Sequence, residues 1–90
     1  MILVGIDIGK NQHTFSIIDK ETGEILSNPS VFNNNQEGFL LLIKKLSSYT
    51  KSELLIGMED TGHYHFALLR YLLDSRYTVA LINPTTTDWY

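Results

Sequence analysis

Two carboxylates in this 90-residue chain stand at the ends of apolar runs. Asp7 closes Ile2-Leu3-Val4-Gly5-Ile6, and Glu59 closes Leu54-Leu55-Ile56-Gly57-Met58. Each follows a glycine two positions earlier, as Gly5-Ile6-Asp7 and Gly57-Met58-Glu59. Short runs rich in Val, Ile and Leu read as buried strands. Alternation along a strand puts Asp7 on one face with Leu3, Gly5 and Gly9, and Glu59 on one face with Leu55 and Gly57. If the two strands are parallel neighbours, the acids converge at the carboxyl edge of a sheet, where open α/β sheets place their ligand sites. An ionised acid that loses solvation needs a compensating partner. Two acids side by side raise one pKa or demand a cation. Hard oxygen donors favour Mg²⁺ or Mn²⁺. A pair of such ions about 3.5–4 Å apart can activate a nucleophile and stabilise a leaving oxygen in phosphodiester chemistry. The glycines would leave room beside the acids for ions or a substrate backbone. The plainer alternative stays open at this point: Asp7 caps a turn and Glu59 begins a solvated loop.

Bringing the acids together is the task of the elements around them. Strands are expected over 13–19 and 24–32, after the first strand and joined by short turns, giving an antiparallel meander. Pro29 lacks a ladder donor, so the third strand should lie at an edge or carry a bulge. Asn33-Asn34-Asn35 offers an N-cap to a helix whose apolar face is Phe39, Leu42, Ile43 and Leu46. Gly38 should weaken its first turn by about 1 kcal/mol relative to alanine. A fourth strand over 53–59 leads to a second helix of about a dozen residues, capped by Thr61 or Asp60, with Phe66, Leu69, Leu72 and Leu73 inward. A fifth strand over 77–82 ends at Asn83-Pro84. The order β-β-β-α-β-α-β with right-handed crossovers predicts a mixed five-stranded α/β sheet of order 3-2-1-4-5, the ribonuclease H-like arrangement, with helices packed on the sheet.

Composition narrows the function classes. Hydrophobic residues make up 43% and charged residues 19%, an ordinary globular balance. No apolar run nears the roughly 20 residues of a membrane helix, and no signal peptide is evident. Cysteine is absent, which rules out disulfides and thiolate metal sites. A cytoplasmic location and no membrane partner are expected. The net charge of −3 lacks the basic footprint of a domain that grips nucleic acid alone. Any DNA-binding surface would then lie elsewhere in a longer protein, of which residues 1–90 are read as the N-terminal piece.

Three motifs carry a family resemblance. Val4-Gly5-Ile6-Asp7-Ile8-Gly9-Lys10, Gly57-Met58-Glu59-Asp60-Thr61-Gly62-His63-Tyr64 and Val79-Ala80-Leu81-Ile82-Asn83-Pro84 together resemble the N-terminal domain of the DEDD transposases, insertion-sequence enzymes related to the Piv DNA invertase. The middle motif is the most specific. The resemblance implies a RuvC-like, ribonuclease H-fold catalytic domain and metal-dependent DNA cleavage and strand transfer during transposition. It also implies a metal tetrad in which Asp7 and Glu59 match the first two acids. The last two acids of the family pattern fall beyond Asn83-Pro84, and Asp88 comes too soon after it to be one of them. Asp60, where relatives often have a small residue, adds a third carboxylate whose role, metal ligand or helix cap, stays open. DNA is the implied partner. A structured guide RNA, used by several members, and a second copy of the full-length chain are the others. This piece, holding half of the tetrad, should be inactive alone.

The remaining polar residues invite weaker readings. Lys10, His63 and Tyr64 could contact substrate phosphates, the latter two beside a helix N-terminus; ordinary exposure or packing explains them equally well. His63 and His65, two apart, do not share a helix face and make a poor zinc site without cysteine. His13 reads as packed or hydrogen-bonded rather than catalytic. Tyr71, Tyr77 and Trp89 read as core or as covered surface. Two other classes compete: an actin-like or sugar-kinase ATPase, whose first phosphate loop also resembles Gly5-Ile6-Asp7-Ile8-Gly9, and a non-catalytic ribonuclease H-fold interaction domain.

Overall fold

The computed structural model describes residues 1–59, 62–82 and 87–89, the last three by their backbone. The alternating runs form a single sheet. Strands β1 (Ile2–Asp7), β2 (Gln12–Asp19), β3 (Ile25–Asn33), β4 (Leu54–Glu59), β5 (Val79–Ile82) and β6 (Thr87–Trp89) stand in the order β3-β2-β1-β4-β5-β6. The first three pair antiparallel, while β1–β4 and β4–β5 pair parallel, as the crossovers require. The expected order 3-2-1-4-5 is present, extended by β6, which runs antiparallel to β5. The motif Thr87-Asp88-Trp89 is too short for alternation to announce a strand.

β3 lies at the edge and its register slips between the partners of Phe15 and Ile18, so Pro29 sits where a missing donor costs least. Helix α1 (Gln36–Leu46) begins at Asn35, whose side chain accepts from the Gly38 N–H at 2.9 Å. A Cβ on Gly38 would overlap the backbone of Asn33, so the glycine lets the first turn lie against the asparagine loop. Its propensity cost is the condition of that close approach.

Helix α2 (Phe66–Asp74) departs from expectation. It has nine residues rather than about a dozen, and His65 occupies the N-cap position. The caps expected at Asp60 or Thr61 lie outside the described residues. Gly62 adopts φ +75°, and residues 62–65 form a turn before the helix begins. This delay makes Phe66 the first residue of the helix. Phe66 is 55% exposed, and Leu68 joins Leu69 and Leu72 in the core instead.

The core lies between one sheet face and the two helices. Val4, Ile6, Phe15, Ile17, Ile56, Met58, Val79 and Leu81 meet Phe39, Leu42, Leu46, Leu68, Leu69 and Leu72 there. No helix among the described residues is long and apolar enough to cross a membrane.

Candidate functional site

The other sheet face carries the acids. Asp7 and Glu59 are the last residues of β1 and β4. The parallel register pairs Gly5 with Gly57 and Ile6 with Met58, so its next step sets Asp7 and Glu59 side by side. Neighbouring strands lie about 4.8 Å apart. Both acids line one open cleft of about 680 Å³. Both are exposed, so the desolvation cost expected for Asp7 is not incurred. The strand is covered by helices on its Val4–Ile6 face, and Asp7 points the other way at the strand's end.

A row of small residues runs beneath the acids. Ser16 pairs with Gly5, Gly5 with Gly57, and Gly57 with Ala80. Added Cβ atoms at Gly5 and Gly57 would meet only ordinary contacts, Ser16 Oγ at 3.9 Å and Ile82 Cδ1 at 3.4 Å. Packing within the fold therefore does not demand glycine at either position, and both glycines line the cleft. On the β2 side, Thr14 stands directly across from Asp7, and both Thr14 and Ser16 line the cleft. Sequence reasoning passed over these two hydroxyls. The signal was present: alternation puts them on one face of β2, and the short hairpin fixes which residues they oppose.

Other candidates do not join the acids. Lys10 is exposed in the turn after β1, and its carbonyl accepts from Asn34 Nδ2 at 3.0 Å. His63 and Tyr64 lie exposed in the turn before α2. None of the three lines the cleft. His65 is buried, and the rings of His63 and His65 both lie against Phe66, at 5.7 and 4.3 Å. Asp60 lies outside the described residues. His13 is packed and hydrogen-bonded: it is 1% exposed, and its Nδ1 accepts from the Gly9 N–H at 3.1 Å. Burial pushes its pKa below the ordinary histidine value, and the Asn34 side chain opposes that shift.

Among the described residues no group of three or more His, Cys, Asp or Glu could hold a metal. The two-carboxylate donor set nevertheless suits a hard cation. Mg²⁺ is commonly held by one or two carboxylates, with waters and substrate phosphates completing its shell.

Comparison with known proteins identifies the fold and the family. Solved structures of Thermus thermophilus RuvC share the fold. RuvC in complex with a Holliday junction substrate superposes with a TM-score of 0.68 at 12% identity, covering 93% of this chain and 65% of that one. A second RuvC structure gives 0.64 at 15% identity, covering 93% and 64%. The pilin gene-inverting proteins of Moraxella lacunata and Moraxella bovis are each 31% identical over 83 residues, which is 90% of this chain and 24% of each relative. The chain thus spans about a quarter of the length of the curated relatives it matches. The family model for IS110-type DEDD transposases matches residues 4–90, and with nearly its whole length inside that model, this chain belongs to the IS110-type DEDD transposase family.

Proposed function

We propose that the full-length protein is a metal-dependent DNA transposase or site-specific recombinase, with Asp7 and Glu59 as metal ligands of its catalytic centre. The observation carrying this reading is the placement of two carboxylates at the ends of adjacent parallel strands, in one cleft. Family membership favours it over the phosphate-loop ATPase reading. Charge supports the need for a cation. A chain of net charge −3 that presents paired acids would repel a phosphodiester, unless positive charge lies between them. Bound there, Mg²⁺ or Mn²⁺ would activate the attacking oxygen and stabilise the leaving one.

The chain's own residues do the rest. Asp7 and Glu59 supply anionic oxygens, the Gly5–Gly57 floor leaves space for the scissile backbone, and Thr14 and Ser16 offer hydroxyl donors along one wall. Asp60 is an additional carboxylate donor in this reading. Lys10, His63 and Tyr64, outside the cleft, are candidates for phosphates further along the strand. The wider assembly would include DNA, a structured RNA and a second copy of the full-length chain.

The test is cleavage of a DNA substrate by the full-length protein, with Mg²⁺ or Mn²⁺ titrated. Asp7→Asn and Glu59→Gln should each abolish turnover while leaving the melting temperature unchanged. Normal excision and insertion by Asp7→Asn would sink the proposal.

A further inference from the structure

The turns that follow the two acids are joined to each other, and the joint is made by His13 and Asn34. Three bonds are direct. The Gly9 N–H donates to His13 Nδ1 at 3.1 Å. Asn34 Nδ2 donates to the Lys10 carbonyl at 3.0 Å and to the Tyr64 carbonyl at 3.4 Å. The Asn34 backbone adds a fourth, donating to the Asn11 carbonyl at 2.8 Å. Residues 9–11 follow Asp7, and Tyr64 belongs to the turn after Glu59. One asparagine side chain thus spans the two segments.

His13 Nδ1 is an acceptor, so the neutral ring carries its proton on Nε2. Both Asn34 amide hydrogens are committed to carbonyls, which leaves Oδ1 as an acceptor. His13 Nε2 and Asn34 Oδ1 are both buried, and neither has a hydrogen-bond partner among the described residues, the other included. They are complementary, and the Asn34 side chain is the group that acts on the ring. The bonds form two pieces that meet at residues 9–11: His13 holds the Gly9 N–H, and Asn34 runs from the Lys10 carbonyl to the Tyr64 carbonyl.

We propose that His13 and Asn34 are positioning residues: a hydrogen-bonded clamp that ties the turn after Asp7 to the turn after Glu59 and so fixes the mouth of the cleft. This rests on the reading of Asp7 and Glu59 as the reactive pair. The geometry explains a buried histidine that lies near the acids yet does not face their cleft. It also gives each loop asparagine its own task. Asn33 accepts from Gln12 Nε2 at 3.3 Å, Asn34 clamps, and Asn35 caps α1.

The clamp is tested in the full-length protein with His13→Leu, Asn34→Ala and His13→Gln. His13→Leu touches only the Gly9 side directly. A clamp predicts faster amide exchange in peptides over 8–12 and also over 62–67, because releasing the Gly9 N–H loosens the turn whose Lys10 carbonyl Asn34 holds. It also predicts a rise of about 10-fold in the Mg²⁺ concentration for half-maximal cleavage, the scale seen when groups supporting metal ligands are lost. His13→Gln, which offers an acceptor and a donor, should restore part of both effects. Asn34 is only half-buried, so Asn34→Ala gives the same two readouts if His13→Leu fails to fold. Exchange that changes only over 8–12 in His13→Leu, or half-saturation unmoved in both variants, overturns the proposal. Asp7→Asn is measured alongside. If that variant keeps cleavage, the metal-site reading falls, and the clamp is then decided by exchange over 62–67 alone.

Discussion

Within β1 and β4, successive residues live in two different environments. Val4, Ile6, Ile56 and Met58 are sealed beneath the helices, whereas Gly5, Asp7, Gly57 and Glu59 border an open cleft. One face is buried against the helices, and the other carries glycine in two adjacent strands where the cleft opens. Burial thus explains half of each strand's residues and leaves the other half without a packing reason. Those unexplained residues are the ones that could meet a substrate.

That contrast can be broken by substitutions on either face. The largest effect is expected from Asp7→Asn or Glu59→Gln: a loss on the order of 10³-fold in DNA cleavage by the full-length protein, about 4 kcal/mol of transition-state stabilisation. Melting temperature should not move. If it falls in step with activity, the open face is structural and the contrast fails. Next in size is Ile56→Ala. Removing this fully buried side chain should cost about 2–5 kcal/mol in urea unfolding. Metal dependence of the surviving folded fraction should be unchanged.

Gly57→Val sharpens the contrast further. It puts a branched side chain on the cleft floor, where a Cβ alone fits beside Ile82. Cleavage should drop roughly 10-fold through displacement of the reacting groups, while stability changes by less than about 1 kcal/mol. An unaffected rate would show that the floor is not occupied by substrate.

The smallest effect concerns pH. His13 has a depressed pKa in the folded chain, so the unfolded state binds more protons as pH falls below about 6.5. Stability should therefore rise with pH up to the ordinary histidine value, level off above it, and fall as pH drops toward the depressed pKa. Thermal melts across this range in the native protein and His13→Leu check the sign: the variant should lose this contribution to the slope.

How much of this was legible in the sequence follows from which interactions are periodic. The strands, the buried face of α1 and the shared face of Gly5 and Asp7 all repeat along the chain, so alternation and helical spacing exposed them. The convergence of Asp7 and Glu59 followed from that alternation plus the handedness of crossovers. On α2, Leu69, Leu72 and Leu73 pack on the core as their spacing suggests, but Phe66, the first residue of the late-starting helix, is exposed and Leu68 is buried. Strand β6 is too short to show a period. The bonds from Asn34 to the Lys10 and Tyr64 carbonyls join separate segments, and no spacing rule connects them. Alternation puts Thr14 and Ser16 on one face of β2, but their relation to Asp7 needed the hairpin register.

The register between β1 and β4 has a consequence for how the protein is made. Residues 2–6 of β1 each meet one 52 positions later, from Ile2 with Leu54 to Ile6 with Met58. Contacts of such long sequence separation close late and slow folding, because loop entropy is lost before they form. On a ribosome the N-terminal residues emerge first. β1 can then pair with β2 as a hairpin, but its other edge stays unfilled until β4 has been synthesised. Asp7 has no neighbour in Glu59 during that interval. A nascent chain stalled before β4 would carry the first acid on an incomplete sheet, so the pair cannot be assembled until that stretch of translation is finished.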